Sequence, residues 1–172
     1  MPETELRKAN WYALYTKPRH EFKAAAQLED IEIEHYLPTI TRLKQWSDRK
    51  KKVTEPLFRG YIFINTDEKG RLEALQLDTI VRTVSFQGKP AIVPAWQIEN
   101  VQKLLEKDPE VFVTDKIKEG TKVKVVSGPF NGVKGVVSAV QNERTLSIII
   151  ETLHRSIVVT LPANSVTEKV ES

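Results

Sequence analysis

The chain has no cysteine, no long apolar run, and aromatic side chains at only 8% of its 172 residues. Without cysteine there can be no disulfide staple, thiolate metal site, iron–sulfur cluster or cysteine nucleophile. The histidines, His20, His35 and His154, stand far apart in neither HxxxH nor HxH spacing, so a His-ligated metal has no support. No catalytic triad, carboxylate pair or phosphate loop is visible, which predicts a non-enzyme with no cofactor. The longest apolar stretches, at 61–65 and 148–150, are far too short to span a bilayer. The polar, acidic start MPETE does not read as a signal peptide, and the expectation is a soluble, cytoplasmic protein without a membrane partner. Length and an apolar content of 40% allow one ordinary folded domain or two small ones.

What the chain does have is unevenly distributed charge. The net charge is +3, yet residues 1–107 carry 18 basic and 15 acidic side chains while residues 108–172 carry 8 of each. Residues 42–59 alone hold Arg42, Lys44, Arg49, Lys50, Lys51, Lys52 and Arg59 against Asp48 and Glu55, a local +5 that exceeds the total. Such a cluster attracts phosphate or acidic protein surface. It also fits a solvated hairpin whose lysines keep an edge strand soluble.

Periodicity orders the first part as β-α-β-β-α-β-β-α, an α+β fold with helices against a mostly antiparallel sheet. WYALYT at 11–16 reads as a strand, and Lys17-Pro18 opens a helix with Phe22, Ala25, Ala26 and Glu29 on one face. A long strand over 33–46 is interrupted by Pro38. Ser47-Asp48-Arg49-Lys50 supplies turn chemistry, making 42–58 a β-hairpin with the basic cluster at its tip. YIFI at 61–64 is apolar on both faces and reads as a central strand. A weak helix over 69–77, a strand over 80–86, a turn at 87–90 and a short strand over 91–93 follow. Pro94 starts a last helix with Ile98, Val101 and Leu105 inward.

Residues 107–119 mix Asp108-Pro109 with alternating charge and read as a linker. Beyond Gly120 the pattern keeps period 2 through 123–125, 133–140, 146–150 and 157–161, the signature of a small β-barrel. Gly128 and Asn131-Gly132 are placed to supply positive φ, and Gly135 inside a strand allows a sharp bend. Phe130 then sits on a connecting loop, either as a cap on the barrel or as a partner contact.

The stretch GTKVKVVSGPFNGVKGVV at 120–137 closely resembles a KOW motif of SH3-like barrels. WYALYTKPRHE at 11–21, EPLFRGYIFI at 55–64 and KPAIVP at 89–94 resemble the amino-terminal (NGN) domain of the NusG/RfaH family of transcription elongation factors. QWSDRKK at 45–51 looks most like the UpxY-type specialised antitermination paralogues. The resemblance implies an NGN domain over 8–106, a linker over 107–118 and a KOW domain over 119–168. It implies a non-enzymatic factor that sits on the clamp helices of the RNA polymerase β′ subunit, reaches toward the β gate loop and contacts the upstream fork and non-template DNA. The KOW barrel would recruit Rho, a small-subunit ribosomal protein or another factor.

Carried over by position, the clamp-helix surface comprises Tyr15, Leu57, Phe58, Tyr61, Phe63, Phe86 and Ile92. The competing reading makes these side chains the domain's own core, with Tyr61 the better candidate for exposure than Phe63. Nucleic acid would meet Lys17, His20 and Lys23 on one helix side, the tip residues Arg49, Lys50, Lys51 and Lys52, and Arg82. Phe130 and Asn131 would meet a KOW partner. Gly70-Arg71-Leu72-Glu73, aligned with the gate-loop contact, lacks the His-Thr chemistry of RfaH. The β-branched runs at 136–137, 148–150 and 157–159 predict a carboxy-terminal domain that stays β rather than switching to helix. Another reading is a KOW-type RNA-binding or ribosome-associated protein; the neutral charge of 108–172 argues against it.

Overall fold

A computed structural model describes residues 8–117, 120–140 and 142–170. The expectation for the first five residues lies outside these. Two compact units divide between Val93 and Pro94.

The first unit is built on strand β1 (Asn10–Thr16), which pairs antiparallel with β5 (Tyr61–Thr66), β6 (Ile80–Thr83) and β9 (Ile92–Val93). Strand β2 (Glu34–Tyr36) adds to the other edge of β5, giving the order β2-β5-β1-β6. YIFI is thus the interior strand its two-sided apolarity implies. Helices α1 (Glu21–Asp30) and α2 (Glu68–Ala74) accompany this sheet. Tyr12, Leu14, Ile62, Ile64 and Ile80 on the strands form one core with Ala24 and Leu28 of α1 and Ala74 of α2. The short pair β7 (Ser85–Phe86) and β8 (Lys89–Pro90) turns through Gly88 at φ 77°.

Several local expectations shift. Helix α1 begins at Glu21 rather than at Lys17-Pro18, because Arg19 takes a left-handed φ of 64° and its N–H donates to Glu21 Oε1 at 3.1 Å. Its buried positions are therefore Glu21, Ala24 and Leu28, and Phe22 is exposed. The strand expected over 33–46 breaks at Leu37-Pro38 into β2 and β3 (Thr39–Gln45), which lie in different sheets. Among the described residues strand β3 pairs only with β4 (Lys50–Pro56), which makes a two-stranded hairpin.

The second unit contains helix α3 (Ala95–Leu105) and a six-stranded antiparallel sheet. Its strands are β10 (Phe112–Thr114), β11 (Thr121–Ser127), β12 (Lys134–Val140), β13 (Glu143–Ile150), β14 (Arg155–Leu161) and β15 (Val166–Lys169), in the order β10-β14-β13-β12-β11-β15. Among the described residues that path is open, with no β15 to β10 pairing that would close a barrel. Strand β10 lies within the span expected as linker. Helix α3 buries Ile98, Val101 and Leu104, with Leu105 half-buried. The Asn100 amide clamps Lys134 at the start of β12, donating to its carbonyl at 2.6 Å and accepting from its N–H at 2.7 Å. Gly135 leaves room where β13 crosses: a Cβ there would stand 2.7 Å from the Ser147 carbonyl oxygen and 2.8 Å from Leu146 Cδ1. In α+β terms the architecture is as the sequence predicts.

Candidate functional site

The two faces of the first sheet differ in chemistry because side chains alternate along a strand. Tyr12, Leu14, Ile62 and Ile64 belong to the helix-packed core, so Tyr15, Tyr61 and Phe63 must stand on the other face. There Tyr61 of β5, Tyr15 of β1 and Arg82 of β6 are cross-strand partners in one row. The two phenol rings sit 5.0 Å apart, and the Arg82 guanidinium lies 4.8 Å from the Tyr15 ring centre. Both tyrosines are half-buried and Arg82 is exposed. This row is a ready surface: two tilted aromatic rings, partly dry, with a cation on a π-face.

Other expected contacts are placed differently. Leu57, Phe58 and Phe63 are 5%, 3% and 1% exposed, so in this structure they offer no surface. Phe63 instead meets Phe58 edge-on at 6.1 Å and stacks on Tyr36 at 6.5 Å. Burial pushes the Tyr36 phenol up to about 12. Phe86 and Ile92 are exposed, at 71% and 55%. Ile92, however, pairs opposite Tyr12, on the helix-bearing side of the sheet rather than with the tyrosine row. The sheet itself separates them.

The amino-terminal cations do not share one helix side. Lys17 precedes α1, and its N–H donates to the Thr79 carbonyl at 2.9 Å. His20 takes the N-cap position without capping, its Nδ1 lying 2.8 Å from the Pro18 carbonyl oxygen. Lys23 faces Asp78 at 3.8 Å, a partner that sequence reasoning missed. The Gln27 amide, bonded at 2.7 Å, and then the Lys23 charge hold the Asp78 carboxyl below its ordinary range.

The gate-loop-aligned stretch also has a structural task. Arg71 is buried; it donates to Glu68 Oε2 at 2.9 Å and to the Thr83 hydroxyl at 2.9 Å, and its Nη2 meets Glu68 Oε1. The Thr83 bond fastens α2 to β6, and the Glu68 bonds, within the helix, hold the Glu68 carboxyl below its ordinary range.

The basic cluster occupies the hairpin. Its turn is closed by Arg49 N–H to Trp46 carbonyl at 3.2 Å and Trp46 N–H to Arg49 carbonyl at 2.7 Å, with Ser47-Asp48 between. Arg49, Lys50, Lys51 and Lys52 are all exposed. Lys44 is tied to Glu55, which also faces Arg59 at 3.7 Å. The Lys44 hydrogen bond is the chief cause of the lowered Glu55 carboxyl. In the second unit, Phe130 is 5% exposed and offers little surface, and Asn131 is exposed beside it. Gly128 and Gly132 take φ of 105° and 92°; Asn131 is not among the positive-φ residues.

The family model described as transcription termination factor nusG matches residues 9–102. The chain belongs to the NusG family. A curated relative, the transcription termination/antitermination protein NusG of Thermus thermophilus, is 29% identical over 155 residues, covering 78% of this chain and 84% of that protein. A solved structure of Thermotoga maritima NusG covers 95% of this chain and 98% of its own, with a TM-score of 0.52 at 22% identity, a likeness of fold. NusG-family membership makes the chain a non-enzymatic transcription factor with a role in elongation and antitermination. The family match runs from β1 into α3, across the division between the two contact units. Among the described residues no helix is long and apolar enough to cross a membrane.

Proposed function

We propose that this NusG-family chain binds RNA polymerase through its amino-terminal domain, residues 8–106, and recruits a further factor through the KOW segment, residues 119–168. The observation that carries the reading is the Tyr61–Tyr15–Arg82 row. Half-buried aromatics beside an arginine are the residue types that dominate binding energy at protein interfaces. Tyr15 and Tyr61 of that row are read as the docking face for the β′ clamp helices, and exposed Phe86 as a further contact. The hairpin cations Arg49, Lys50, Lys51 and Lys52, with Lys17, His20 and Arg82, then meet the upstream or non-template DNA. The QWSDRKK tip supports a dedicated, UpxY-like antiterminator acting on particular operons.

Binding of RNA polymerase to the immobilised full chain tests this. Combined Tyr15→Ala and Tyr61→Ala replacement should weaken capture by at least about tenfold, the loss of one interface anchor. Equal capture by variant and parent would refute the docking face. Chromatin occupancy confined to a few long operons, rather than spread over all transcribed genes, is the outcome expected of a dedicated factor.

A further inference from the structure

The β3–β4 hairpin holds a chemical asymmetry that its charge count conceals. Cross-strand partners share a face, so the pair Lys44–Lys51 and the turn-closing pair Trp46–Arg49 lie on one side, while Gln45–Lys50 and Leu43–Lys52 lie on the other. The first side carries an indole among cations. The Lys51 ammonium stands 4.3 Å from the Trp46 ring centre, yet Trp46 remains 47% exposed. Lys44 on that side is already paired with Glu55, which leaves Lys51 over the ring and Arg49 as the partner of Trp46 across the turn. A large apolar ring at a hairpin tip belongs to no core here: among the described residues β3 and β4 pair with each other and with no third strand.

We propose that Trp46 is a stacking platform for an unpaired base of single-stranded DNA, with Arg49 and Lys51 holding the flanking phosphates. The proposal deepens the reading of the hairpin as a nucleic-acid contact and rests on it. The occupant follows from two complementarities. Residues 46–52 hold four basic side chains against one acidic, which suits a polyanion. An exposed indole offers a phosphate only its single N–H, whereas its face stacks any base with a free π-face. In a duplex those faces are covered by neighbouring base pairs, so the platform selects single strands. DNA is the occupant because the proposed function sets the hairpin against upstream or non-template DNA, of which only an unpaired strand bares its base faces.

The test uses the full chain and four probes of about twelve nucleotides, within the site sizes of single-strand binders: oligo(dT), an abasic strand with the same phosphates, a DNA duplex and oligo(U). The parent chain should bind oligo(dT) roughly tenfold more tightly than the abasic strand, the usual worth of one stacked base. Trp46→Ala should bind the two alike, Trp46→Phe should keep most of the preference, and neither change should alter the salt dependence. Equal binding of oligo(dT) and the abasic strand by the parent chain, with strong salt dependence, overturns the platform but leaves a phosphate-binding hairpin standing. Duplex bound as tightly as oligo(dT) overturns the single-strand assignment, and oligo(U) bound more tightly than oligo(dT) overturns the choice of DNA. Failure of the parent chain to bind any strand overturns both the platform and the reading beneath it. The abasic comparison needs no variant, so it stands even if a substitution disturbs the hairpin.

Discussion

Replacing Arg71 is the sharpest test of how the first unit holds α2 against its sheet. The side chain is 10% exposed and joins Glu68, the Thr83 hydroxyl and, at 5.9 Å, the Tyr12 ring. Loss of the charged hydrogen bond to Thr83 costs about 1.5 kcal/mol. The ion pair is worth less than the roughly 3–5 kcal/mol lost on breaking a fully buried one, because 37% of the Glu68 side chain already meets water. Removing the stem adds roughly 0.8 kcal/mol for each buried methylene. Arg71→Ala should therefore destabilise the unit by about 3 to 4 kcal/mol, and Arg71→Met, which keeps the stem, by about half as much. With Trp46 and Trp96 replaced by Phe, Trp11 in β1 reports unfolding of this unit alone. At a urea slope of about 2 kcal/mol per molar, the alanine variant should lose about 1.5 to 2 M in midpoint. The Glu68 carboxyl is held below its ordinary range, so its contribution is present above that range and lost as pH falls through the lowered folded value. The gap between parent and Arg71→Met should accordingly narrow below about pH 4. An alanine shift under about 0.3 M, or a gap that widens in acid, would refute the account.

Asn100→Ala removes both bonds to the Lys134 backbone, and with Trp96 of α3 as reporter the second unit should lose about 1 to 2 kcal/mol, accompanied by faster hydrogen exchange at the Lys134 amide. Gly135→Ala drives a Cβ into the Ser147 carbonyl and should cost that unit about 2 kcal/mol in urea titration, while Gly88→Ala, with open space around it, should cost only backbone strain. Joint alanine replacement of Arg49, Lys50, Lys51 and Lys52 should lower the log–log salt slope for single-stranded DNA by about 3, at ~0.7 per phosphate contact; an unchanged slope would assign the tip to protein or solvent.

The fold was legible wherever period and burial coincide. The two-sided apolarity of YIFI marked an interior strand, and Ser-Asp between charged strands marked a tight hairpin. The misplaced start of α1 has a local cause, since the left-handed Arg19 and the buried Glu21 carboxylate that satisfies its N–H carry no pattern in hydropathy. Alternation could say that Phe63 and Tyr61 share a face but not which of them meets water; the Phe58 and Tyr36 rings decide that, and they arrive from other segments. Asn100 and Lys134 lie 34 positions apart, and no local signal joins them. Within QWSDRKK composition shows only the charge beside Trp46, whereas the strand register and turn are what put the indole beside Arg49 and Lys51.

A hairpin paired only with itself also separates two kinds of selection. Every residue over 41–52 is exposed, so substitutions there sacrifice almost no buried area in the sheet that folds the unit. Most proteins cannot alter a binding surface without taxing the core beneath it. Here the hairpin, if it reads nucleic acid as proposed, can drift on an unchanged chassis. Divergence of target within such a lineage should therefore concentrate in these few residues, leaving the tyrosine row and the core behind it to vary slowly.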